Sequence, residues 1–171
     1  MSFLSSPVEQ YKASFLEGLQ ELHAEGIMEY YDFQSVSENF AGFLQRLRDE
    51  EDRAKIPAHR VPASQFWLID NGEYIGTFNL RHELNEWLYT FGGHIGYRIR
   101  PSKRRRGYGK EILCLGLEKA RERGLRRVLV TCDETNIGSK KIIEANGGVF
   151  ENAVTEEGAS VKRLRYWIDI S

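Results

Sequence analysis

One stretch of the chain, residues 93–124, combines a strand, a basic turn with two glycines and a helix. It reads GHIGYRIRPSKRRRGYGKEILCLGLEKARERG. Apolar residues alternate in its first part, Pro101 ends the strand, and apolar residues recur at helical spacing between Gly107 and Gly124. Glycines let backbone N–H groups at a helix N-terminus approach an anion closely, and the helix dipole and nearby arginines add positive potential. The stretch therefore predicts a phosphate-binding turn.

The spacing of the glycines distinguishes this turn from two common nucleotide-binding motifs. A dinucleotide-binding fingerprint has a third Gly or Ala three residues beyond the second glycine, where this chain has Ile112. A P-loop has Ser or Thr after its Gly-Lys, where this chain has Glu111. The pattern that fits is R-x-x-G-x-G, at Arg104, Gly107 and Gly109.

This pattern, placed between a strand and a helix, resembles the acyl-CoA pyrophosphate loop of the GNAT superfamily of N-acetyltransferases. A second segment agrees with it. Residues 131–136, followed by Ser139 and by Gly147-Gly148, are similar to the family's strand, its Asn-x-x-Ser/Ala helix and its terminal glycine. The two segments together cover residues 93–150. The resemblance implies acetyl-CoA as co-substrate and no metal.

Length and charge set limits on the kind of protein. The chain has 171 residues, which predicts a single domain over 1–171. Its formal net charge is −1, so any attraction for anions must come from local clustering. The local cluster consists of Arg98, Arg100, Lys103, Arg104, Arg105 and Arg106. An isolated run of this kind would be a solvated face or a nucleic-acid patch, but the two glycines favour phosphate binding, and no nucleic-acid partner is expected.

Cysteine usage and hydropathy predict a reduced, cytoplasmic protein without membrane contact. Cys114 and Cys132 have neither metal-ligand spacing nor a disulfide framework. The N-terminal segment has no basic region followed by an apolar run, and nowhere do about 18 apolar residues follow one another.

The element order follows from periodicity and from turn residues. Residues 7–25 predict a first helix ending at Gly26, and Ser35 or Ser37 is expected to cap a second helix. Residues 54–63 indicate a loop. Later elements are a hairpin of 65–69 and 74–80, a strand at 95–100, a helix at 107–123, a strand at 127–133, a helix at 136–145, and a final hairpin of 149–151 and 164–170 around the loop 152–160.

The resulting order, ααβββαβαββ, predicts an α/β fold with a mixed sheet. The resemblance implies that this sheet is GNAT-like, flanked by helices and splayed between the strands 95–100 and 127–133. The thioester arm of acetyl-CoA is expected to lie in that gap.

Several residues are expected to bind acetyl-CoA. Backbone N–H groups from Arg105 to Lys110, a span that includes Arg106, Gly107, Tyr108 and Gly109, are expected to hold the pyrophosphate, and Arg104 and Arg106 to add charge-assisted contacts. The resemblance assigns main-chain groups of Tyr97, Arg98 and Ile99 to the pantetheine arm and the thioester oxygen. It also places Asn136 and Ser139 against the arm, with a plain N-cap as the alternative role of Asn136.

The proton-transfer residues depart from the family pattern. Many members have a Glu about ten residues before the arginine of the turn, where this chain has Gly93 and His94. An imidazole can accept a proton near neutral pH, so His94 is the predicted general base, with His82 and Glu83 as second choices. The family's usual acid is a Tyr at the position of Ile143.

With Ile143 in the acid's place, another donor must protonate the thiolate, or the thiolate leaves unprotonated. Tyr97, Tyr108 and Cys132 are the candidate donors. Tyr97 is the predicted catalytic acid among them.

The acceptor is expected to enter opposite acetyl-CoA. Tyr30, Tyr31, Asp32, Phe33, Glu156 and Glu157 suggest an aromatic and acidic rim suited to a cationic amine. The sequence thus predicts an N-acetyltransferase acting on a primary amine of a small molecule or peptide. The alternatives are a non-catalytic acyl-CoA-binding module and a nucleic-acid-binding protein. A homodimer stays open, because the sequence does not determine the oligomeric state.

Overall fold

A seven-stranded sheet with helices on both faces forms the fold in the computed structural model, which describes all 171 residues. The strands are β1 (Phe3–Ser5), β2 (Ala63–Asp70), β3 (Glu73–Arg81), β4 (Ile95–Ile99), β5 (Arg127–Asp133), β6 (Val149–Val154) and β7 (Arg163–Asp169). The helices are α1 (Lys12–His23), α2 (Phe33–Glu38), α3 (Phe40–Asp49), α4 (Tyr108–Glu122) and α5 (Ile137–Ala145). The spatial order of the strands is β1-β2-β3-β4-β5-β7-β6. The predicted mixed α/β sheet is confirmed.

The N-terminal third differs in detail from the sequence expectation. A short strand, β1, precedes the first helix and pairs antiparallel with β2. The expected second helix is two helices, because Asn39, with φ −129° and ψ 65°, leaves the helical conformation. The caps are Asp32, which accepts from Ser35 N–H at 2.8 Å, and Asn39, which accepts from Gly42 N–H at 3.0 Å. The expectation that Ser35 or Ser37 caps this region was wrong.

The sheet opens beside β4. This strand pairs antiparallel with β3 over five residue pairs, but it meets β5 in parallel at one pair, Ile95 with Val130. Beyond that pair the two strands separate, as predicted. Gly93, with φ 68°, precedes the divergence, and its Cα approaches β5 so closely that a Cβ would lie 2.6 Å from the Leu129 carbonyl oxygen. The chain therefore passes from contact with β5 into the gap within a few residues.

Two apolar clusters cover the opposite faces of the sheet. One includes Phe78, Ile112 and Tyr166 and holds α4 and α5. The other holds α1, α2 and α3, and in it Phe15 stacks on Trp67 with ring centroids 4.4 Å apart. Burial on both faces fixes the N-terminus of α4 on one side of the gap and the helices α1–α3 on the other.

Candidate active site

The turn between β4 and α4 presents a row of unpaired backbone N–H groups. The five amides of residues 105–109 donate no hydrogen bond within the chain, whereas those of Lys110 and Glu111 donate to the Gly107 carbonyl at 3.1 and 3.2 Å. Arg105 and Gly107 have φ values of 59° and 88°. Left-handed residues within a turn direct successive N–H groups into one concavity, which binds anions, and the α4 dipole adds to that potential.

The two glycines of the turn serve different purposes. Gly107 is the N-cap of α4, and no atom lies within 4 Å of the place where a Cβ would stand. Its φ of 88° is what requires glycine there. At Gly109 a Cβ would lie 2.5 Å from Ile142 Cδ1, so this glycine allows α4 to pack closely on α5.

The six cations of the local cluster divide into paired and unpaired groups. Arg100 is buried and bonds Glu21 at 2.7 Å and Glu17 at 3.3 Å. Arg104 bonds Glu25 at 2.8 Å. Lys103 pairs with Glu73. Arg98, Arg105 and Arg106 have no acidic partner and are exposed. Half of the cluster therefore attaches the turn to neighbouring elements, chiefly α1, and half remains available to an anion.

Glu21 illustrates how tightly the turn and α1 are joined. Burial alone would raise the pKa of this carboxyl, but hydrogen bonds from Ser102 N–H and from Arg100 outweigh it and lower the pKa. The carboxylate is therefore charged at neutral pH and holds the start of the turn against the last residues of α1.

A cleft of about 590 Å³ runs from this turn along β4 into the gap. We call it the first cleft. Its lining is Ile27, Tyr97, Arg98, Ile99, Lys103, Arg104, Arg105, Gly109, Asn136, Gly138, Ser139 and Ile142. It thus brings together most of the residues that the sequence predicted for cofactor binding. Arg106, Gly107, Tyr108 and Lys110 belong to the turn but do not line it.

Main-chain groups of β4 differ in availability. Arg100 N–H donates to the Ile75 carbonyl and Arg81 N–H to the His94 carbonyl, both at 2.8 Å. By the alternation of an antiparallel ladder, Arg98 also bonds towards its partner on β3, whereas Tyr97 and Ile99 direct their main-chain groups into the gap. The Ile99 carbonyl already accepts from Arg104 Nε at 3.2 Å.

Two hydroxyl groups meet inside the first cleft. Tyr97 Oη and Ser139 Oγ lie 2.7 Å apart, which joins β4 to α5 across the gap. Burial raises the pKa of Tyr97 to about 12, so its hydroxyl keeps its proton at neutral pH. Asn136 accepts from Ser139 N–H at 3.0 Å, and this N-cap of α5 orients the serine.

His94 lies at the point where β4 leaves β5 and is 7% exposed. Its ring Nδ1 accepts from Leu129 N–H at 2.9 Å, and its backbone N–H donates to the Leu129 carbonyl at 2.8 Å. Burial, with a contribution from Arg81, lowers the pKa of the ring to about 4. The neutral ring therefore has its lone pair engaged by the backbone of β5, and it does not line the first cleft.

The other proton-transfer candidates lie apart from the first cleft. Tyr108 donates to Asp70 at 2.6 Å, and this hydrogen bond raises the pKa of the tyrosine. His82 bonds Ser64 at 2.8 Å, and Glu83 pairs with Arg53. Burial raises the pKa of the Cys132 thiol, and Ile143 is fully buried. The Tyr97–Ser139 pair is accordingly the hydroxyl pair that the structure brings to the cleft.

A second cleft, of about 430 Å³, lies on the sheet face covered by α1–α3. Its lining is Tyr30, Tyr31, Phe43, Arg46, Leu47, Glu50, Arg60, Ala63, Gln65, Asn79 and Arg81. Sequence reasoning anticipated the two tyrosines and missed the polar residues from α3, β2 and β3. The sequence indicated these lining residues only through polar positions within otherwise apolar strands, such as Gln65 and Asn79.

The remaining residues of the expected acidic rim do not line this cleft. Asp32 caps α2, and Phe33 packs against the α1–α3 cluster. Glu156 accepts from Trp87 Nε1 at 2.9 Å. No cluster of three or more His, Cys, Asp or Glu side chains suited to a metal ion occurs, and none of the helices has the length and apolar character needed to cross a bilayer.

A splayed mixed sheet with an anion-binding helix N-terminus at the mouth of its gap is the arrangement expected from the resemblance to the GNAT acetyltransferases. The sequence model of the acetyltransferase (GNAT) domain matches residues 15–149, and the chain belongs to this family. The recognition made from the R-x-x-G-x-G turn is thereby confirmed. A sequence search of curated proteins gave no match.

Solved structures share the fold at low sequence identity. The microcin C7 self-immunity acetyltransferase MccE, in complex with acetyl-CoA and AMP, has a TM-score of 0.69 at 13% identity, over 98% of this chain and 92% of that one. RimJ of Mycobacterium smegmatis, in complex with CoA-disulfide, has a TM-score of 0.69 at 19% identity, over 97% and 80%. A chimera of the spermidine N-acetyltransferase SpeG from Vibrio cholerae and hSSAT has a TM-score of 0.68 at 16% identity, over 99% and 95%.

Proposed function

We propose that the protein transfers an acetyl group from acetyl-CoA directly to a primary amine of a small molecule or peptide. The observation that supports this most strongly is the row of five unpaired N–H groups at residues 105–109, which lies at the mouth of the first cleft. Family membership supports acyl transfer, and the related structures that contain acetyl-CoA or CoA support the choice of donor. The name of the spermidine N-acetyltransferase supports an amine as acceptor.

The residues of the turn fit the anionic end of this co-substrate. The unpaired amides of 105–109 bind the pyrophosphate, with Arg105 and Arg106 as charged neighbours that have no internal ion pair. Main-chain groups of Tyr97 and Ile99 face the gap and bind the arm. Acetyl-CoA supplies the acetyl group as a thioester, which an amine attacks directly. Oriented binding on both sides of the gap contributes to the rate acceleration by holding the amine against the thioester.

The Tyr97–Ser139 pair is the proposed hydrogen-bond donor to the leaving thiolate. Because the pKa of Tyr97 is raised to about 12, the pair retains a proton at neutral pH and can donate a hydrogen bond to a developing negative charge. Complete proton transfer to a thiolate, whose acid has a pKa of about 8.5, is uphill, so the hydroxyl stabilises the departing thiolate and solvent supplies its proton. His94 stays a prediction for the general base. Its contacts with Leu129 favour the alternative, in which the ring fixes the divergence of β4 from β5.

Thiol release tests the function directly. The protein is mixed with acetyl-CoA and a panel of primary amines, and free CoA thiol is measured over time together with CoA affinity by titration. We expect CoA binding and amine-dependent thiol release. Binding without release on a broad panel would support the non-catalytic acyl-CoA-binding module instead. Salt-dependent binding to DNA or RNA without CoA affinity would support the nucleic-acid alternative.

A matched pair of variants tests the turn. Arg105→Asn combined with Arg106→Gln removes both unpaired charges, and Asn tolerates the left-handed conformation of residue 105. We expect CoA affinity to fall by about 10-fold to 100-fold, the usual range for charge-assisted hydrogen bonds. The control is Arg126→Gln, an exposed arginine beyond the far end of α4. Equal affinities in the two variants would contradict the assignment of the turn.

A further inference from the structure

The second cleft has an excess of positive charge. Its charged lining consists of Arg46, Arg60, Arg81 and Glu50. Glu50 is bound at both oxygens by Arg60, at 2.6 and 3.0 Å. Two guanidinium groups therefore remain in the cleft without a carboxylate partner, and no other acidic side chain lines it.

Arg81 is held in place without a counterion. Its Nη1 donates to the carbonyl oxygens of Gly92 and Gly93 at 3.1 and 3.0 Å, and its Nε and Nη2 donate to no group of the protein. The side chain is half-buried, and burial lowers the pKa of the guanidinium with no offsetting acid. A partly desolvated cation fixed by neutral carbonyls is stabilised by an anion from outside the chain.

Arg46 provides a second, more exposed cation. Its guanidinium lies 6.0 Å from the ring centroid of Phe43 and makes no hydrogen bond or ion pair within the chain. Arg46 comes from α3 and Arg81 from β3, so two independent elements direct unpaired guanidinium groups to one cleft.

The register of the sheet places this charge close to the gap. Asn79, which lines the second cleft, is the partner of Gly96 on β4. At Gly96 no atom lies within 4 Å of the position of a Cβ, so the space above this residue is open. Arg81 lies two residues beyond Asn79 on the same face of β3, about 7 Å along the strand.

We propose that the second cleft binds the acceptor through an anionic group, a carboxylate or a phosphate, which pairs with Arg46 and Arg81 while the amine lies towards the gap at Gly96. This inference rests on the proposed function and narrows its substrate class. It replaces the expectation of a cationic acceptor, because Arg46 and Arg81 repel polycations. An amine with an acidic group several bonds away, either a small molecule or the N-terminus of a peptide with an acidic second residue, fits the charge of the cleft and its place beside the gap.

Matched amine pairs test this inference. The C-terminally amidated peptide Ala-Glu-Glu is compared with amidated Ala-Gln-Gln, and O-phosphoethanolamine with ethanolamine, while spermidine serves as the polycation. Each is titrated onto the protein with and without a non-hydrolysable acetyl-CoA analogue, and kcat/KM is measured with acetyl-CoA. We expect the anionic member of at least one pair to bind about 10-fold to 100-fold more tightly and spermidine to be the poorest ligand. The pair that discriminates identifies the source as peptide or small molecule.

Variants of the cleft arginines connect the preference to the site. Arg46→Gln and Arg81→Gln should each reduce the anionic-to-neutral ratio by about 10-fold while CoA affinity is unchanged. Because Arg81 also bonds Gly92 and Gly93, Arg46→Gln keeps the test decisive if the Arg81 variant fails to fold. The control is Arg48→Gln, an exposed arginine on the same helix that bonds Gln45 and does not line the cleft.

The results separate this inference from the proposed function. Thiol release with a ratio near one in both pairs, or with spermidine preferred, overturns the anionic acceptor and leaves the acetyltransferase intact. Failure to bind CoA overturns the proposed function, and the titrations without CoA then still decide whether the cleft takes anionic amines. If the Arg46→Gln variant keeps the full preference for anionic amines, the assignment of that preference to the second cleft is overturned.

Discussion

Gly107 contributes a backbone conformation to the turn. From the sequence alone, both glycines of the R-x-x-G-x-G pattern were expected to let phosphate approach the backbone. The structure shows open space around Gly107 and close packing around Gly109, at Ile142. The two glycines were predictable from the motif. Why each position requires glycine depends on the φ angle of Gly107 and on the contact of Gly109 with α5, and the sequence shows neither.

We predict that Gly107→Val destabilises the turn. A non-glycine residue at φ 88° costs about 1–2 kcal/mol, and a β-branched side chain is the least tolerant of this region. The free energy of unfolding should fall by about that amount, and CoA affinity should fall because the amides of 105–109 lose their common direction. Denaturant unfolding and CoA titration measure the two effects.

The control for this prediction is Gly107→Asn. Asn visits the left-handed region more readily than Val, so it should retain most of the stability and affinity. If Val and Asn give equal losses, space for the ligand, and not backbone conformation, is what requires glycine at this position.

His94 is a second case in which the sequence gives the residue but does not show the environment of its side chain. The free ring has a pKa of about 6.5, and the buried ring one of about 4. Between these pH values the unfolded chain binds a proton that the folded chain does not. Stability is therefore lost as pH falls from about 6.5 to about 4, by an amount on the order of 3 kcal/mol, and not further below that range.

We predict that His94→Asn removes the contribution of His94 to this acid sensitivity, leaves that of His82, whose pKa burial also lowers to about 4, and keeps activity. Asn places an acceptor oxygen near the position of Nδ1, so Leu129 N–H stays paired, whereas His94→Ala leaves it unpaired and should cost about 1–3 kcal/mol. Unfolding at pH 7 and pH 5 measures stability, and the pH dependence of kcat/KM measures chemistry. A loss of activity of about 10²–10⁴-fold in both variants, with one limb missing from the pH profile, would instead establish His94 as the base.

At the scale of the elements, local patterns predicted what local forces determine. The hairpin of β2 and β3 follows from alternation and from Asn71-Gly72, which have φ values of 49° and 77°. The end of α1 follows from Gly26, with φ 70°. The strand β1 was missed because three residues carry no period and are stabilised by pairing with β2, more than 60 residues away.

The sequence did not show which residues, distant along the chain, contact the basic turn or line the second cleft. Glu21 and Glu25 bond the turn from about 80 positions earlier in the chain, and nothing in the basic cluster indicates which of its members they neutralise. The second cleft likewise combines α3 with β2 and β3. The anion-binding turn was predictable because all of its parts are contiguous, and the acceptor side was not.

At the scale of the whole molecule, the sheet separates the first cleft from the second. The first cleft opens beside α4 and α5, and the second lies beneath α1–α3. Asn79 of the second cleft pairs with Gly96 on β4, which adjoins Tyr97 of the first cleft, so the two clefts approach each other beside the opening of the sheet. Under the proposed function, acetyl-CoA and the acceptor enter from opposite faces, so the amine can attack the thioester directly at the opening.

The ion pair between Arg104 and Glu25 has a consequence for turnover. Arg104 lines the first cleft while its guanidinium bonds Glu25 at 2.8 Å, so the carboxylate would compete for this cation with a pyrophosphate bound in the cleft. We predict that Glu25→Gln raises CoA affinity by about two-fold to five-fold, the range of an exposed ion pair, and slows CoA dissociation. Titration and stopped-flow displacement measure these quantities, with the exposed Glu29→Gln as control.

Unchanged or weaker affinity in Glu25→Gln would show that the ion pair positions Arg104 for CoA instead of competing with it. If the competition holds, Glu25 limits how long spent CoA stays on the protein. In an acetyltransferase whose chemical step is fast, dissociation of CoA limits the turnover number. A carboxylate that lowers the affinity for CoA then increases the number of turnovers per second.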